Sequence, residues 1–199
     1  MINFKKVRFQ NFGSFGNTIT EIQLDRHSMT LVTGNNGHGK SFALLDSITF
    51  GLFGRPFRKI NIPQLVNSIN KKNLWVEVEF EIGDDSYKII RGIKPKKFEI
   101  YRNGELFDQN AKTKDYQRML EDQILKMNYK SFTQVVILGS SSFVPFMQLS
   151  TADRRGVIED ILDINIFSDM NMILKINIST CREEHREIVF NIEVLKEKI

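Results

Sequence analysis

The sequence predicts an α/β fold with a phosphate-binding loop, followed by an antiparallel β-meander and a long terminal helix. Residues 34–41 match the pattern G-x-x-x-x-G-K-[ST] and lie between a short apolar run and a helical pattern. Residues 74–82 alternate strictly between apolar and polar, which is typical of a half-buried antiparallel strand. Apolar residues then recur in heptads as far as the last residue, as in the first strand of an antiparallel coiled coil.

The composition limits the possible classes of protein. The 199 residues are 41% hydrophobic and include 16 Phe, enough for one full domain with an extension, which excludes global disorder. The net charge of +4 permits contact with nucleic acid without establishing it. A single cysteine, Cys181, indicates a reducing compartment. Without a signal peptide or an apolar run of ~18 to 20 residues, we expect no membrane contact and a cytoplasmic location.

The loop has the residues that phosphate binding requires. Its glycines let successive N–H groups point at the β- and γ-phosphates, while Lys40 adds a positive charge and Ser41 a hydroxyl for Mg²⁺. Residues 29–33 predict the preceding strand, and residues 41–53 predict a following helix that ends at Gly54. The N-terminus of that helix would face the phosphates. The alternative is a glycine-rich loop without a ligand.

The remaining elements follow from local patterns. The predicted strands are residues 2–9, 18–23, 74–82, 87–91, 98–102, 105–107 and 135–138. Asn103 and Gly104 predict a type I′ hairpin turn. Helices are expected at residues 112–125, with an apolar side, and from Ala152 to Leu162, where Ser150 opens a capping box.

The end of the chain predicts one strand of a coiled coil. Its heptad seam consists of Leu174, Ile178, Cys181, His185, Ile188, Ile192, Leu195 and Ile199. The alternative is an amphipathic helix packed on its own domain. No apolar strand ending in Asp follows the loop, although a nucleoside triphosphatase of this class needs one to place Mg²⁺ and water. We therefore expect a divided site, completed beyond a helical hairpin or by another polypeptide.

Five stretches together resemble a known family. They are residues 11–14, 33–41, 44–52, 131–139 and 149–155. In this order they are similar to the N-terminal lobe of the SMC-like DNA-repair ATPases of the SbcC/Rad-fifty type. The resemblance implies a P-loop NTPase fold with an ABC-ATPase-like head, whose N-terminal lobe would be residues 1–163. Residues 164–199 would begin the coiled-coil arm.

The resemblance also implies roles for particular residues. Gln134 would be the Q-loop glutamine, which meets Mg²⁺ and the attacking water, so that Lys40 and Gln134 would be catalytic and Ser41 and Gln134 would bind the metal. Where family members often carry Arg, this chain has Gly13, which leaves Ser14 as the polar neighbour of the nucleotide. The expected ATP-binding residues are Ser14, Gly34, Asn35, Asn36, Gly37, His38, Gly39, Lys40, Ser41 and Phe42.

The function implied by the resemblance is ATP-driven processing of DNA ends in repair and recombination. Two heads would sandwich two ATP molecules, so the expected partners are the chain's own C-terminal lobe or a second head, an SbcD-like nuclease and double-stranded DNA. Basic residues at 54–72 and 86–102 could contact phosphates, or could be ordinary solvated charge. A structural SMC-type tether without a nuclease is the alternative function. A small P-loop kinase would need an acidic strand that this sequence lacks.

Overall fold

The computed structural model describes residues 2–107, 113–137, 144–162 and 164–197. Its contacts divide the chain into two units, Met1–Leu149 and Ser150–Ile199, which are described separately below. The predicted functional boundary between residues 163 and 164 stays a prediction.

The first unit contains a six-stranded antiparallel sheet with the strand order β2-β1-β3-β4-β5-β6. The strands are β1 (Ile2–Gln10), β2 (Thr20–Gln23), β3 (Leu74–Ile82), β4 (Asp85–Ile93), β5 (Lys97–Arg102) and β6 (Glu105–Leu106). The period-two pattern places one face of β1 and of β3 in the core, where Val7, Phe9, Leu74, Val76, Val78 and Phe80 are buried. The predicted antiparallel meander is therefore confirmed.

The turn between β5 and β6 has the predicted conformation. Asn103 has φ 51° and Gly104 has φ 87°, so both central residues are left-handed, as a type I′ turn requires. The side chain of Asn103 also accepts a hydrogen bond from the backbone N–H of Ser86 at 2.9 Å. This bond joins the turn to β4.

The predicted helix after the loop forms, but its first part is wound as a π-helix. Residues Phe42–Asp46 form the π-helical segment and Ser47–Phe53 form helix α1, which ends at Gly54 with φ 71°. Helix α1 lies so close to the sheet that a Cβ on Gly51 would come within 2.5 Å of Val78 Cγ2. This contact places the C-terminal part of α1 against β3.

Two further helices complete the described part of the first unit. Helix α2 (Thr113–Met119) continues into a π-helical segment (Leu120–Leu125), in the region where the sequence predicts a helix. Helix α3 spans Tyr129–Val135. Tyr116, Leu120 and Leu125 are buried, which confirms the amphipathic character of the pattern. Short 3₁₀-helices occur at Ile62–Leu65 and Phe146–Gln148.

The predicted strand at residues 135–138 is wrong. Asn128 caps α3, and its side chain accepts hydrogen bonds from the backbone N–H groups of Lys130 and Ser131, so a helix runs through Val135. Val135 and Val136 are 41% and 46% exposed. Only Val135 belongs to the helix, and Val136 and Ile137 follow it without forming a strand. Residues 138–143 lie outside the described residues.

The predicted strand at residues 29–33 is also absent. This segment has no regular structure, and Met29 and Leu31 are 88% and 87% exposed. A strand needs a hydrogen-bonding neighbour, and no strand of the described residues pairs with this segment. The local pattern therefore did not suffice to form the strand.

The second unit consists of two helices. Helix α4 (Thr151–Ile161) begins as predicted, because the Ser150 hydroxyl accepts a hydrogen bond from the N–H of Asp153 at 3.2 Å. Helix α5 (Asn165–Glu197) has 33 residues and is about 50 Å long. The apolar residues of its heptad seam are at least 41% exposed, while Ile199 lies outside the described residues. In the described ranges, no helix has the length and apolarity needed to cross a membrane.

Candidate nucleotide-binding site

The phosphate-binding loop depends on left-handed glycines. Gly37 has φ 84° and Gly39 has φ 80°, a conformation that side chains with a Cβ rarely adopt. Directly after the loop, the N–H of Ala43 donates to the carbonyl of Gly39 at 2.8 Å and begins the helical winding. The loop thus leads straight into a helix N-terminus, where free N–H groups and the helix dipole favour an anion.

The side chains of the loop suit a magnesium nucleotide. Lys40 Nζ donates to the carbonyl oxygens of Gly34 at 2.5 Å and Asn35 at 2.8 Å, so its charge lies within the loop. Ser41 is exposed and its hydroxyl makes no capping hydrogen bond. The ammonium group would bind phosphate oxygens, and the hydroxyl is the type of oxygen ligand that Mg²⁺ takes. The residues of the loop, Asn36 and His38 among them, are largely exposed.

Ser14 lies beside the loop, although it is distant in sequence. A Cβ built on Gly39 would come within 2.9 Å of Ser14 Oγ and 3.1 Å of Phe15 Cε2. The structure therefore brings Ser14 next to the loop residues with which the sequence grouped it. Glycine at position 39 is needed both for its backbone conformation and for this close approach.

Phe42 explains why no side chain is present at position 13. Gly13 has φ 57°, and a Cβ there would come within 2.8 Å of the Phe42 ring. The same ring meets Phe12 edge-on, with centroids 5.7 Å apart. The phenyl group of Phe42 thus occupies the space into which an arginine at position 13 would have to grow.

Asn67 fixes the turn that carries Ser14. Its Nδ2 donates to the carbonyl of Gly13 at 3.0 Å and to that of Phe15 at 3.1 Å. Its Oδ1 accepts from the N–H groups of Ile69 and Asn70. The Asn67 side chain is buried, and both its amide nitrogen and its amide oxygen form hydrogen bonds. No local sequence pattern links Asn67 to residues 13–15, so this role could not be predicted from the sequence.

An ion pair between Asp46 and Arg58 was also missed. Asp46 is completely buried in the π-helical segment, and its Oδ2 accepts from Arg58 Nε at 2.7 Å. Charge in the middle of an apolar helical pattern, followed by a basic turn, is the signal that could have indicated it. Taken separately, Asp46 and Arg58 would each be interpreted as a solvent-exposed charge.

Gln134 lies on α3. Its Oε1 atom is buried and has no hydrogen-bond partner within the part of the chain that the structure describes. No described hydrogen bond links Gln134 to the loop. The catalytic and metal-binding roles of Gln134 stay predictions.

Most basic side chains of residues 86–102 have other contacts. Arg91 lies over the ring of Phe98 at 3.8 Å and Lys88 over Tyr101 at 4.5 Å. Two more form ion pairs, Lys97 with Glu99 at 2.9 Å and Arg102 with Asp85 at 2.6 Å. Lys94 and Lys96, between β4 and β5, are exposed and form no ion pair within the described ranges. Among the described residues, Lys94 and Lys96 are thus the two of the six with neither an ion pair nor an aromatic contact.

The basic residues of the stretch 54–72 likewise divide into those with contacts and those without an ion-pair partner among the described residues. Arg55 lies 3.9 Å over the ring of Tyr129, and Arg58 pairs with Asp46. Lys59, Lys71 and Lys72 have no ion-pair partner among the described residues. The basic surface is therefore smaller than the composition of the two stretches indicates.

Comparison with known proteins identifies relatives of most of the chain. The AAA domain family matches residues 6–199. Exonuclease subunit 2 of Enterobacteria phage T4 is 46% identical over 177 residues, which make up 88% of this chain and 31% of that protein. The corresponding protein of Escherichia phage RB69 is 46% identical over 185 residues, 92% of this chain and 32% of that protein.

A more distant relative is the DNA double-strand break repair Rad50 ATPase of Sulfolobus acidocaldarius. It is 27% identical over 164 residues, which cover 81% of this chain and 18% of that protein. The chain thus spans less than a third of the length of these curated relatives.

Solved structures support the same fold. The Smc head domain with an extended coiled coil from Pyrococcus furiosus, bound to the C-terminal domain of ScpA, has a TM-score of 0.60 at 21% identity. That match covers 92% of this chain and 48% of the other. A structure from work on ATP-driven dimerization of SMC ATPases has a TM-score of 0.55 at 23% identity, covering 80% of this chain and 99% of the other. At these identities the likeness shows the fold alone.

Proposed function

The chain belongs to the AAA domain family and is similar to SbcC/Rad-fifty-type ATPases, and from this premise we propose that it is the ATP-binding part of an ATPase subunit that acts with a nuclease on DNA ends. The observation that carries the proposal is the loop geometry. Left-handed glycines, Lys40 within the loop and the uncapped hydroxyl of Ser41 all meet at the N-terminus of one helix.

We assign the phosphates of ATP to residues 34–42, with Ser14 as a neighbour of the loop. Lys40 would bind the β- and γ-phosphates and Ser41 would bind Mg²⁺. When bound, Mg²⁺ would neutralise the charge that develops on the transferred phosphoryl group. Gln134, whose amide oxygen has no hydrogen-bond partner among the described residues, would meet Mg²⁺ and the attacking water.

The proposed site is divided between this chain and sequence outside it. Support comes from residues 29–33, whose exposed apolar side chains lead directly into the loop without a neighbouring strand. A strand supplied by a C-terminal lobe would cover Met29 and Leu31. A second head, held through ATP, would then close the nucleotide from the other side, so that ATP favours the engaged state.

Helix α5 would be the first half of the coiled-coil arm. Its exposed heptad seam supports this proposal, because apolar seams are normally covered by another helix. An SbcD-like nuclease would be the functional partner. The complex would act in the cytoplasm, which is that of the host cell if a phage encodes the chain. Double-stranded DNA would contact Lys94 and Lys96 through phosphates, without reading sequence.

The test is to measure Mg-ATP binding and turnover of this chain with and without the C-terminal lobe of the phage relatives. We expect weak binding and little turnover alone, and a gain in both when the lobe is added. Lys40→Ala should abolish binding in either case. Turnover by the chain alone at the rate of complete ATPases, abolished by Lys40→Ala, would show that the site is not divided.

A separate measurement tests DNA contact. We expect Lys94→Gln together with Lys96→Gln to weaken duplex binding and to reduce its salt dependence. Lys97→Gln is the matched control, because Lys97 already forms an ion pair with Glu99. Equal effects of the control and of the double variant would contradict the assignment.

A further inference from the structure

Arg58 joins the turn after helix α1 to the segment that follows the phosphate-binding loop. Its Nε donates to Asp46 Oδ2 at 2.7 Å and its backbone N–H donates to Asp46 Oδ1 at 3.0 Å. We propose that Arg58 is a positioning residue for the nucleotide site, an inference that rests on the proposed binding of ATP. It acts through Asp46 and Phe42, without contacting the nucleotide.

The second contact of Arg58 is with the first residue of the π-helical segment. Its guanidinium carbon lies 4.1 Å from the centroid of the Phe42 ring, a cation–π distance. Phe42 directly follows Ser41, whereas Asp46 is the last residue of the segment. Arg58 therefore contacts both ends of the segment that links the loop to α1.

This segment needs external support. A π-helix is rare, and it occurs mostly as single turns inside α-helices that are frequently at functional sites. A buried carboxylate is costly unless it is paired and hydrogen-bonded. Asp46 is completely buried, and both of its oxygens accept hydrogen bonds from Arg58. The pair thus stabilises a segment whose orientation sets the direction of the N–H groups at the start of the helix.

Loss of the Arg58 contacts should change the affinity for Mg-ATP more than the stability of the fold. If the segment loses its contacts with Arg58, the sheet and α1 retain their own packing, while Ser41 and the adjacent N–H groups lose their fixed orientation. We expect Arg58→Met to weaken Mg-ATP binding by about tenfold, the equivalent of one lost charge-assisted hydrogen bond. Hydrogen exchange at residues 41–46 should accelerate, while exchange in β1, β3 and β4 stays as in the parent chain.

The experiment measures Mg-ATP affinity and hydrogen exchange for the chain, Arg58→Met, and the double variant Asp46→Asn with Arg58→Met. The double variant removes the unpaired buried charge, so it should fold even if Arg58→Met does not, and its affinity should still be about tenfold lower. Arg102→Met is the matched control, since it breaks the exposed ion pair with Asp85, whose length of 2.6 Å equals that of the ion pair between Arg58 Nη2 and Asp46 Oδ2. Its affinity should not change.

The outcomes separate this inference from the proposed function. Loss of binding in Lys40→Ala, together with parental affinity in both Arg58 variants, would overturn the inference and leave ATP binding intact. Affinity loss accompanied by faster exchange throughout the sheet would also overturn it, because the role would then be general stability. Equal binding by the parent chain and Lys40→Ala would instead refute the proposed function.

Discussion

Arg91 Nη2 donates a 2.6 Å hydrogen bond to Gln117 Oε1, which joins strand β4 to helix α2. The same guanidinium donates through Nε to the carbonyl of Gly51 at 3.0 Å, near the C-terminus of α1. This is the end of the helix opposite the phosphate-binding loop, where a positive charge is favourable. Burial lowers the pKa of Arg91 to about 9, so the side chain remains charged at neutral pH.

The first prediction concerns this contact. Arg91→Met should lower the free energy of unfolding by about 2 to 4 kcal/mol, because it leaves buried carbonyl groups and Gln117 without their charged donor. Urea denaturation measures the change. Arg102→Met, which breaks an exposed ion pair with Asp85, is the control and should change stability little. Similar losses in the two variants would mean that the buried position of Arg91 has no special importance.

The second prediction concerns the close approach of Gly13 to Phe42. Gly13→Ala should destabilise the chain by about 1 to 3 kcal/mol, since its φ is 57° and its new Cβ would overlap the Phe42 ring. Combining it with Phe42→Ala should remove the steric part of this cost. A double-mutant cycle by thermal or urea unfolding measures the coupling. Strict additivity of the two substitutions would show that the ring does not exclude a side chain at position 13.

The third prediction is a pH dependence at the hairpin. A hydrogen bond from Arg102, followed by one from Asn103, lowers the pKa of Asp85 below its usual value. The folded pKa is thus below the unfolded one, so the stabilisation is present above the unfolded pKa and is lost as pH falls through the folded pKa. A carbon-13 NMR titration of the Asp85 carboxyl measures this pKa. Arg102→Gln should raise it, and an unchanged midpoint would contradict the assignment.

The fourth prediction distinguishes two reasons for glycine in the loop. Gly39→Ala should weaken Mg-ATP binding more than Gly37→Ala, although both residues have similar positive φ values. Only the Cβ at position 39 meets Ser14 Oγ and Phe15, whereas nothing lies within 4 Å of a Cβ at position 37. Binding isotherms of the two variants provide the comparison. Equal losses would mean that backbone strain alone accounts for both glycines.

Elements whose signals are local were predicted from the sequence. The type I′ turn follows from Asn103 and Gly104, and the start of α4 follows from the Ser150 cap, because both depend on residues within one turn of the chain. The alternation in β3 likewise predicted the burial of Leu74, Val76, Val78 and Phe80, although Glu77 on the opposite face is also buried and pairs with Arg8. The phosphate-binding loop has a recognisable pattern for the same reason.

Elements that depend on distant partners were predicted less well. Two apolar runs, at residues 29–33 and 135–138, have similar strand-like patterns. One has no regular structure and the first part of the other is helical. Burial of a strand depends on a neighbour that the local pattern does not specify. Arg91 was counted among the surface cations for a similar reason, because only the packing of α1 and α2 against β4 turns it inward.

The sequence by itself determined the phosphate-binding loop, the antiparallel meander and the heptad seam, since each is encoded by residue spacing along one segment. Only the tertiary structure decided which side chains support the loop and its neighbouring segments. Ser14 lies beside the loop, Asn67 holds the turn that carries Ser14, and Arg58 contacts the segment that follows the loop. Such contacts depend on how the chain folds back on itself, and their energy comes from burial and hydrogen bonds between residues far apart in sequence.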